Sequence, residues 1–432
     1  MGVSLWRTMQ RLVAFSVVLA ILAATCGGSV ATPTSPEPLS ASPTTTRTPN
    51  PTGTEMSPTG TPPSPTILPL ASAGPSADGW LQVPDQASVR SVELNDVVWS
   101  GTRFVALGSG FDGNIAILDS TDGRIWHRQT NSATATAASD LAAGPPGLVA
   151  LETIGGTEAS GASADGLTWT VLPAAFSDAT KPVAIATDVV ATQFGWLAVG
   201  REDPACQIDC GTAPIRAVVW RSPDGLHWTR IAAQPSLEGG GMNAVTVGGP
   251  GFIAAGTVAG DAGFWTSADG ATWARVPDAP MFHPRPGADS NDASWVSGLA
   301  SDHGSIAAVG MDAAAGGGDY SVRAWRSVDG RTWTETTGDR FLGGQAFGIA
   351  ATADGFLATG PSGVPSCRGG IWASSDGSTW RCIASDLIFQ GFGPYAAAAS
   401  PSVEIAVGLT SAGWDPNGTS GLPGAVWWRA VP

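Results

Sequence analysis

The sequence is poor in basic charge. Its 432 residues include a single lysine, Lys181, and the formal net charge is −15. Nucleic acid calls for a basic footprint, so this composition argues against that partner. It argues equally against docking on anionic lipid through a polybasic patch. Histidine is scarce: His127, His227, His283 and His303 are the full set, and no two stand at metal-ligand spacing. No run of alternating Asp and Asn ends in Glu, so a calcium loop is not expected. Neither a metal nor a cofactor is therefore expected. Tyrosine appears twice, at Tyr320 and Tyr395. The one extended apolar run, Leu12 to Ala24, is short for a bilayer span.

That run belongs to a targeting segment. Arg7 and Arg11 precede it, and Ala23-Ala24-Thr25-Cys26-Gly27 follows. The pattern resembles a bacterial lipoprotein signal, in which Cys26 becomes the lipidated first residue. Ala23 and Thr25 depart from the usual residues there, so simple secretion and an uncleaved anchor stay open. From Val30 to about Pro75 the chain is Pro, Thr and Ser with almost nothing to bury. It reads as an extended stalk. The expected organisation is a signal peptide over 1–25, a stalk over 26–75 and one folded domain over 76–432. The expected location is the outer face of the cell membrane, or free secretion. Cys26 aside, four cysteines remain, which suits two disulfides in an exported chain. Cys206–Cys210 and Cys367–Cys382 are the expected pairs. Metal binding by Cys206 and Cys210 is the weaker reading, because no second ligand pair accompanies them.

What is abundant is a repeat. Ser267-Ala268-Asp269-Gly270-Ala271-Thr272-Trp273 is one of six copies of S-x-D-G-x-x-W. The others place Asp122, Asp165, Asp224, Asp329 and Asp376 at the acidic position. Four copies follow a strand ending in Trp220, Trp265, Trp325 or Trp372. Short Ser and Asp oxygens accept turn N–H groups, and Gly takes positive φ without a Cβ penalty. The motif therefore reads as a β-hairpin tip. It resembles the Asp-box, or BNR repeat, of sialidases and related β-propellers. In that family the repeat is structural and lies away from the active site.

A second repeat accompanies it. Phe104-Val105-Ala106-Leu107-Gly108 returns at Leu148, Trp196, Phe252, Ile306, Phe356 and Glu404, giving seven copies. Short strands at even spacing with Gly-rich turns indicate an all-β closed array. The expected fold is a seven-bladed β-propeller; six and eight blades are the neighbouring counts. Only six complete turns serve seven blades. Asp78-Gly79-Trp80 through Val83-Pro84 reads as the missing turn and outer strand, and Ala425 to Trp428 as the strand it joins. Pairing near Trp80 and Trp427 would close the ring and remove a free sheet edge.

Long connections fall on the face opposite the S-x-D-G turns, at 201–216, 278–294, 311–322 and 409–424. Ligands favour long loops on rigid scaffolds. The candidate binding residues are His283, Arg285, Asp289, Asp292, Trp295, Tyr320, Trp414 and Asp415. The sialidase resemblance implies an arginine triad, a Tyr–Glu pair and an Asp acid/base. The F/Y-R-I-P motif is missing, Arg90 is the nearest position, and no Glu is assignable beside Tyr395. No catalytic residue is therefore assigned, and enzymatic activity stays open with the balance against it. The expected function is a non-catalytic, surface-anchored, monomeric propeller binding an extracellular protein or glycan. A divergent glycoside hydrolase and a purely structural domain are the alternatives.

Overall fold

The computed structural model describes residues 78–431, except 130–136, 155–156, 178–183, 203–214, 285–292, 314–319, 337–343, 362–366, 368, 384–392 and 411–421. Seven four-stranded antiparallel sheets form a seven-bladed β-propeller. Blades 1 to 6 take residues 92–128, 137–172, 184–230, 240–275, 293–335 and 348–382 in chain order. Blade 7 takes residues 393–430 and borrows its outer strand, Leu81–Gln82, from the start of the domain. The innermost strands touch in sequence around the ring, and that of blade 7 meets that of blade 1.

The local sequence explains each layer. The second strand lies between neighbours on both edges and between blades on both faces, so it reads as a continuous apolar run. Phe104, Val105, Ala106 and Leu107 are all buried. Packing is organised by seam, with one apolar cluster for each of the seven junctions between blades. Tryptophan supplies much of it. Trp220, Trp265, Trp325, Trp372 and Trp427 occupy matching third-strand positions in blades 3 to 7, opposite Ala198, Ala254, Ala308, Ala358 and Ala406. A buried indole removes roughly 200 Å² from water, on the order of 5 kcal/mol by area.

The turns are closed on themselves. Ser267 Oγ accepts the Gly270 N–H at 2.8 Å, and Asp269 Oδ1 accepts those of Ala271 and Thr272 at 2.8 and 2.7 Å. The Trp273 indole donates to the Gly270 carbonyl at 3.2 Å. Gly270 has φ +70°. These bonds hold the Asp269 and Asp329 carboxyls down at about 2, the N–H groups of Thr272 and Thr332 respectively contributing most.

The expected closure is present. Leu81 pairs with Trp428 and Gln82 with Trp427. Trp80 is fully buried beside Trp427. Cys367 and Cys382 form a disulfide that ties the connection leading into the third strand of blade 6 to its outer strand. Cys26, Cys206 and Cys210 lie outside the described residues.

Candidate functional site at the loop-side mouth of the channel

The two ends of the propeller differ chemically. At one end the S-x-D-G turns use their polar groups internally. At the other, the innermost strands carry β-bulges and a varied set of side chains. Register shifts occur at Asn95, Ser139, Thr187, Asn243, Ser297 and Tyr395. In blade 6 the matching place, just before Gly348, is Phe347, whose N–H reaches the Thr359 carbonyl at 2.8 Å. A bulge adds one residue and aims its side chain off the regular alternation.

Several of these residues latch one blade to the next. Thr187 donates to the Met242 carbonyl at 2.8 Å, Asn243 to Val296 at 2.9 Å and Ser297 to Ala346 at 2.5 Å. In blades 1 to 3 the residue after the bulge is an aspartate. The carboxylates of Asp96, Asp140 and Asp188 accept the N–H groups of Leu141, Val189 and Val245 at 2.8, 2.9 and 2.6 Å. Neighbouring carboxyls in this row influence one another's ionisation. Burial raises all three above the ordinary carboxylate range, and the charge of Asp140 adds to the rise at Asp96 and Asp188. Across the channel, Phe347 meets Tyr395 edge-on at 5.3 Å. Burial pushes the Tyr395 phenol up, and the nearby Glu93 of blade 1 pushes it further. The mouth thus has an acidic arc on blades 1–3, a hydroxyl and amide arc on blades 3–5, and an aromatic arc on blades 6–7.

The candidate residues from the sequence are not brought together at one point. His283 stands on the rim in the crossover from blade 4 to blade 5. Its Nε2 lies 3.0 Å from both Asp278 oxygens, and that hydrogen bond raises its pKa. The Arg323 side chain, 1% exposed, fixes this crossover from below. Its Nη1 donates to the carbonyl of His283 at 2.5 Å and its Nη2 to that of Met281 at 2.8 Å. It also pairs with Asp312 and Glu335, both at 3.0 Å. Trp295 differs from expectation: it is 4% exposed, packed with Ala293, Met311 and Phe347, and offers no open stacking face. Tyr320 pairs with Ala313 as the first residue of the third strand of blade 5. Arg285, Asp289, Asp292, Trp414 and Asp415 lie outside the described residues. Arg90 pairs with Asp85 at 2.8 Å. Among the described residues, no three His, Cys, Asp or Glu side chains converge as metal ligands.

Sequence reading missed the acidic row, because its members stand about 45 residues apart and meet only where successive blades pack together. It also missed a clip. Gln86 accepts the Trp126 N–H at 2.9 Å and Ser88 donates to the Trp126 carbonyl at 2.8 Å. Gln234 and Ser236 do the same to Trp273 at 3.0 and 2.7 Å. The shared Q-x-S in two crossovers was the available signal.

No protein-family model and no characterised protein sequence matches the chain. Solved structures of similar fold include the Trypanosoma rangeli sialidase in complex with the inhibitor DANA, at 12% identity and a TM-score of 0.43, covering 79% of this chain and 55% of that one. The chain thus spans about half the length of that sialidase. The SapL1 lectin in complex with alpha methyl fucoside shows 14% identity and a TM-score of 0.43, covering 68% and 96%. Saccharomyces cerevisiae Sqt1 shows 9% identity and a TM-score of 0.45, covering 79% and 97%. The class defined here is the seven-bladed β-propeller, and it rests on the strand pairing of this chain.

Proposed function

We propose that the protein is a non-catalytic binding propeller, anchored at the cell surface through Cys26, that engages a glycan or protein partner on its loop-rich face. The observation that carries this is the contrast between the two ends. The turn end is closed on itself, whereas the loop end keeps the exposed His283–Asp278 pair and the Phe347–Tyr395 aromatic pair on a rigid ring. A mixture of aromatic faces and hydrogen-bonding groups suits a glycan, which stacks and hydrogen-bonds at once. The six hairpins, read as Asp-boxes, are scaffold in this view. The test is glycan-array and surface-crosslinking capture with the full chain beside Tyr395→Ala and Asp278→Ala/His283→Ala variants. A ligand bound equally by all three would remove the loop-side mouth from the reading.

One observation favours a second reading. The charge of Glu93 on blade 1 is felt at Tyr395 on blade 7, so a Tyr and a Glu far apart in sequence belong to one neighbourhood. A divergent glycoside hydrolase would use such a pair. Turnover of any fluorogenic glycoside that is lost in Tyr395→Phe would establish it.

A further inference from the structure

Blade 2 breaks two rules that other blades obey. At the fifth position of the second-strand repeat six blades carry glycine: Gly108, Gly200, Gly256, Gly310, Gly360 and Gly408. The reason is close approach. A Cβ at any of them would come within 1.9 to 2.3 Å of a carbonyl oxygen just before the first-strand bulge. Blade 2 has Glu152 there. Blades 3 to 7 carry the buried tryptophan two residues diagonal to that glycine, whereas blade 2 has Gly161, opposite Ala150. The two departures complement each other. A Cβ on Gly161 would meet Glu152 Oε1 at 2.6 Å and Trp169 at 3.4 Å. The Glu152 side chain thus occupies space that an indole fills elsewhere.

One of its oxygens is buried without a partner. Glu152 is 2% exposed, and its Oε2 makes no hydrogen bond. The same face of blade 2 carries Leu148 and Ala150, which pack on Val105, Leu107, Ile115 and Ile117 of blade 1. An ionised carboxylate in such surroundings is costly, and the ordinary remedy is a proton. We propose that the seam between blades 1 and 2 is a proton-operated joint: it stays shut while the Glu152 carboxyl is neutral, and ionisation of Glu152 drives that side chain out and parts the two blades.

Other polar groups around the seam agree. Burial alone pushes Glu152 up to about 7. Two acid–base pairs of blade 1 are engaged internally, Asp119 with Arg103 at 2.7 Å and Asp112 with Arg128 at 2.8 Å. Glu158 lies on the other face of blade 2, opposite Thr153. The inner end of the seam is held by Asp96, which faces Asp140 and the N–H groups of Val97 and Leu141. Asp140 in turn faces Asp188 and the Val189 N–H. Two adjacent carboxyls hold together best while they share a proton. The seam between blades 5 and 6, by contrast, is latched by the Ser297 hydroxyl, which carries no charge to lose.

Hydrogen–deuterium exchange of the full chain at pH 5 and pH 8, corrected for intrinsic exchange, tests this. Opening at the amides of 92–99 and 137–144 should rise roughly 10- to 100-fold between the two pH values. Amides of 293–302 and 348–352, at the seam of blades 5 and 6, serve as the control and should not change. Glu152→Gln should cut the rise to a few-fold. Glu152→Gly combined with Gly161→Trp restores the arrangement of other blades and should do the same, so it decides the matter if the first variant folds poorly. The proposal is overturned if the wild-type seam shows no more pH dependence than the control, or if both variants keep the full rise.

Discussion

Gln82 and Trp427 stand directly opposite each other where the two ends of the domain meet. Ring closure depends on this short pairing, extended by the Val83 N–H on the Val426 carbonyl at 2.9 Å. Removing residues 76–85 exposes the edge of blade 7 and strips Trp80 from its cluster. The melting midpoint should fall by about 10 °C or more, with a broader transition. Calorimetry of a chain beginning at Gln86 measures it, and an unchanged sharp transition would refute the closure role.

Arg323 should be the costliest single polar residue to lose. Arg323→Met leaves Asp312, Glu335 and two carbonyls without their shared donor, and breaking a buried ion pair in this way costs about 3–5 kcal/mol. Denaturant midpoints give the number. Adding Glu335→Gln should recover part of it, because the stranded charge is then removed.

The turn aspartates set the acid limit. Asp269 and Asp329 titrate at about 2 in the folded protein, below the ordinary carboxylate value. Their contribution is therefore complete above that ordinary value and is lost as pH falls towards 2. Both are solvent-exposed, so screening keeps the pH effect small. Alanine at either position should cost about 1 kcal/mol, and the two costs should add, since the hairpins lie on different blades. Melting curves of the single and double variants from pH 2 to 6 check both statements.

The acidic row works in the opposite sense. The pKa of Asp140 is raised on folding, so the folded chain holds protons that the unfolded chain releases. Stability from this source is present at low pH and declines as pH rises above the ordinary carboxylate value. Asp140→Asn keeps an oxygen for the Val189 N–H and cannot ionise. Its melting temperature should match the parent at pH 4 and exceed it at pH 7.5. A lower value at pH 7.5 would show that the carboxylate stabilises the ring.

Reduction of the Cys367–Cys382 bond frees a loop with a sequence separation of 15. The loop-entropy relation gives a loss of about 3 kcal/mol. Cys367→Ser/Cys382→Ser should show a loss of that size in urea and leave the other six blades folded at low denaturant.

The architecture was legible before any coordinates. Seven short apolar strands ending mostly in Gly, six S-x-D-G-x-x-W turns and an unmatched D-G-W at the start impose seven blades and a shared last sheet, because each signal is local or repeats at even spacing. The disulfide within blade 6 was legible for the same reason. The mouth of the channel was not. Asp96, Asp140 and Asp188 look like ordinary polar strand residues until the packing of successive blades sets their carboxyls in one row, and Glu93 acts on Tyr395 only because the last blade returns to the first. Trp295 looked like an exposed loop aromatic, yet the innermost strand of blade 5 begins at Ala293 and draws it into the core. The exchange of Glu152 and Gly161 is written in the sequence as two breaks in a repeat. That they compensate each other was decided by the tertiary structure, since only strand pairing lays one side chain over the other's missing ring.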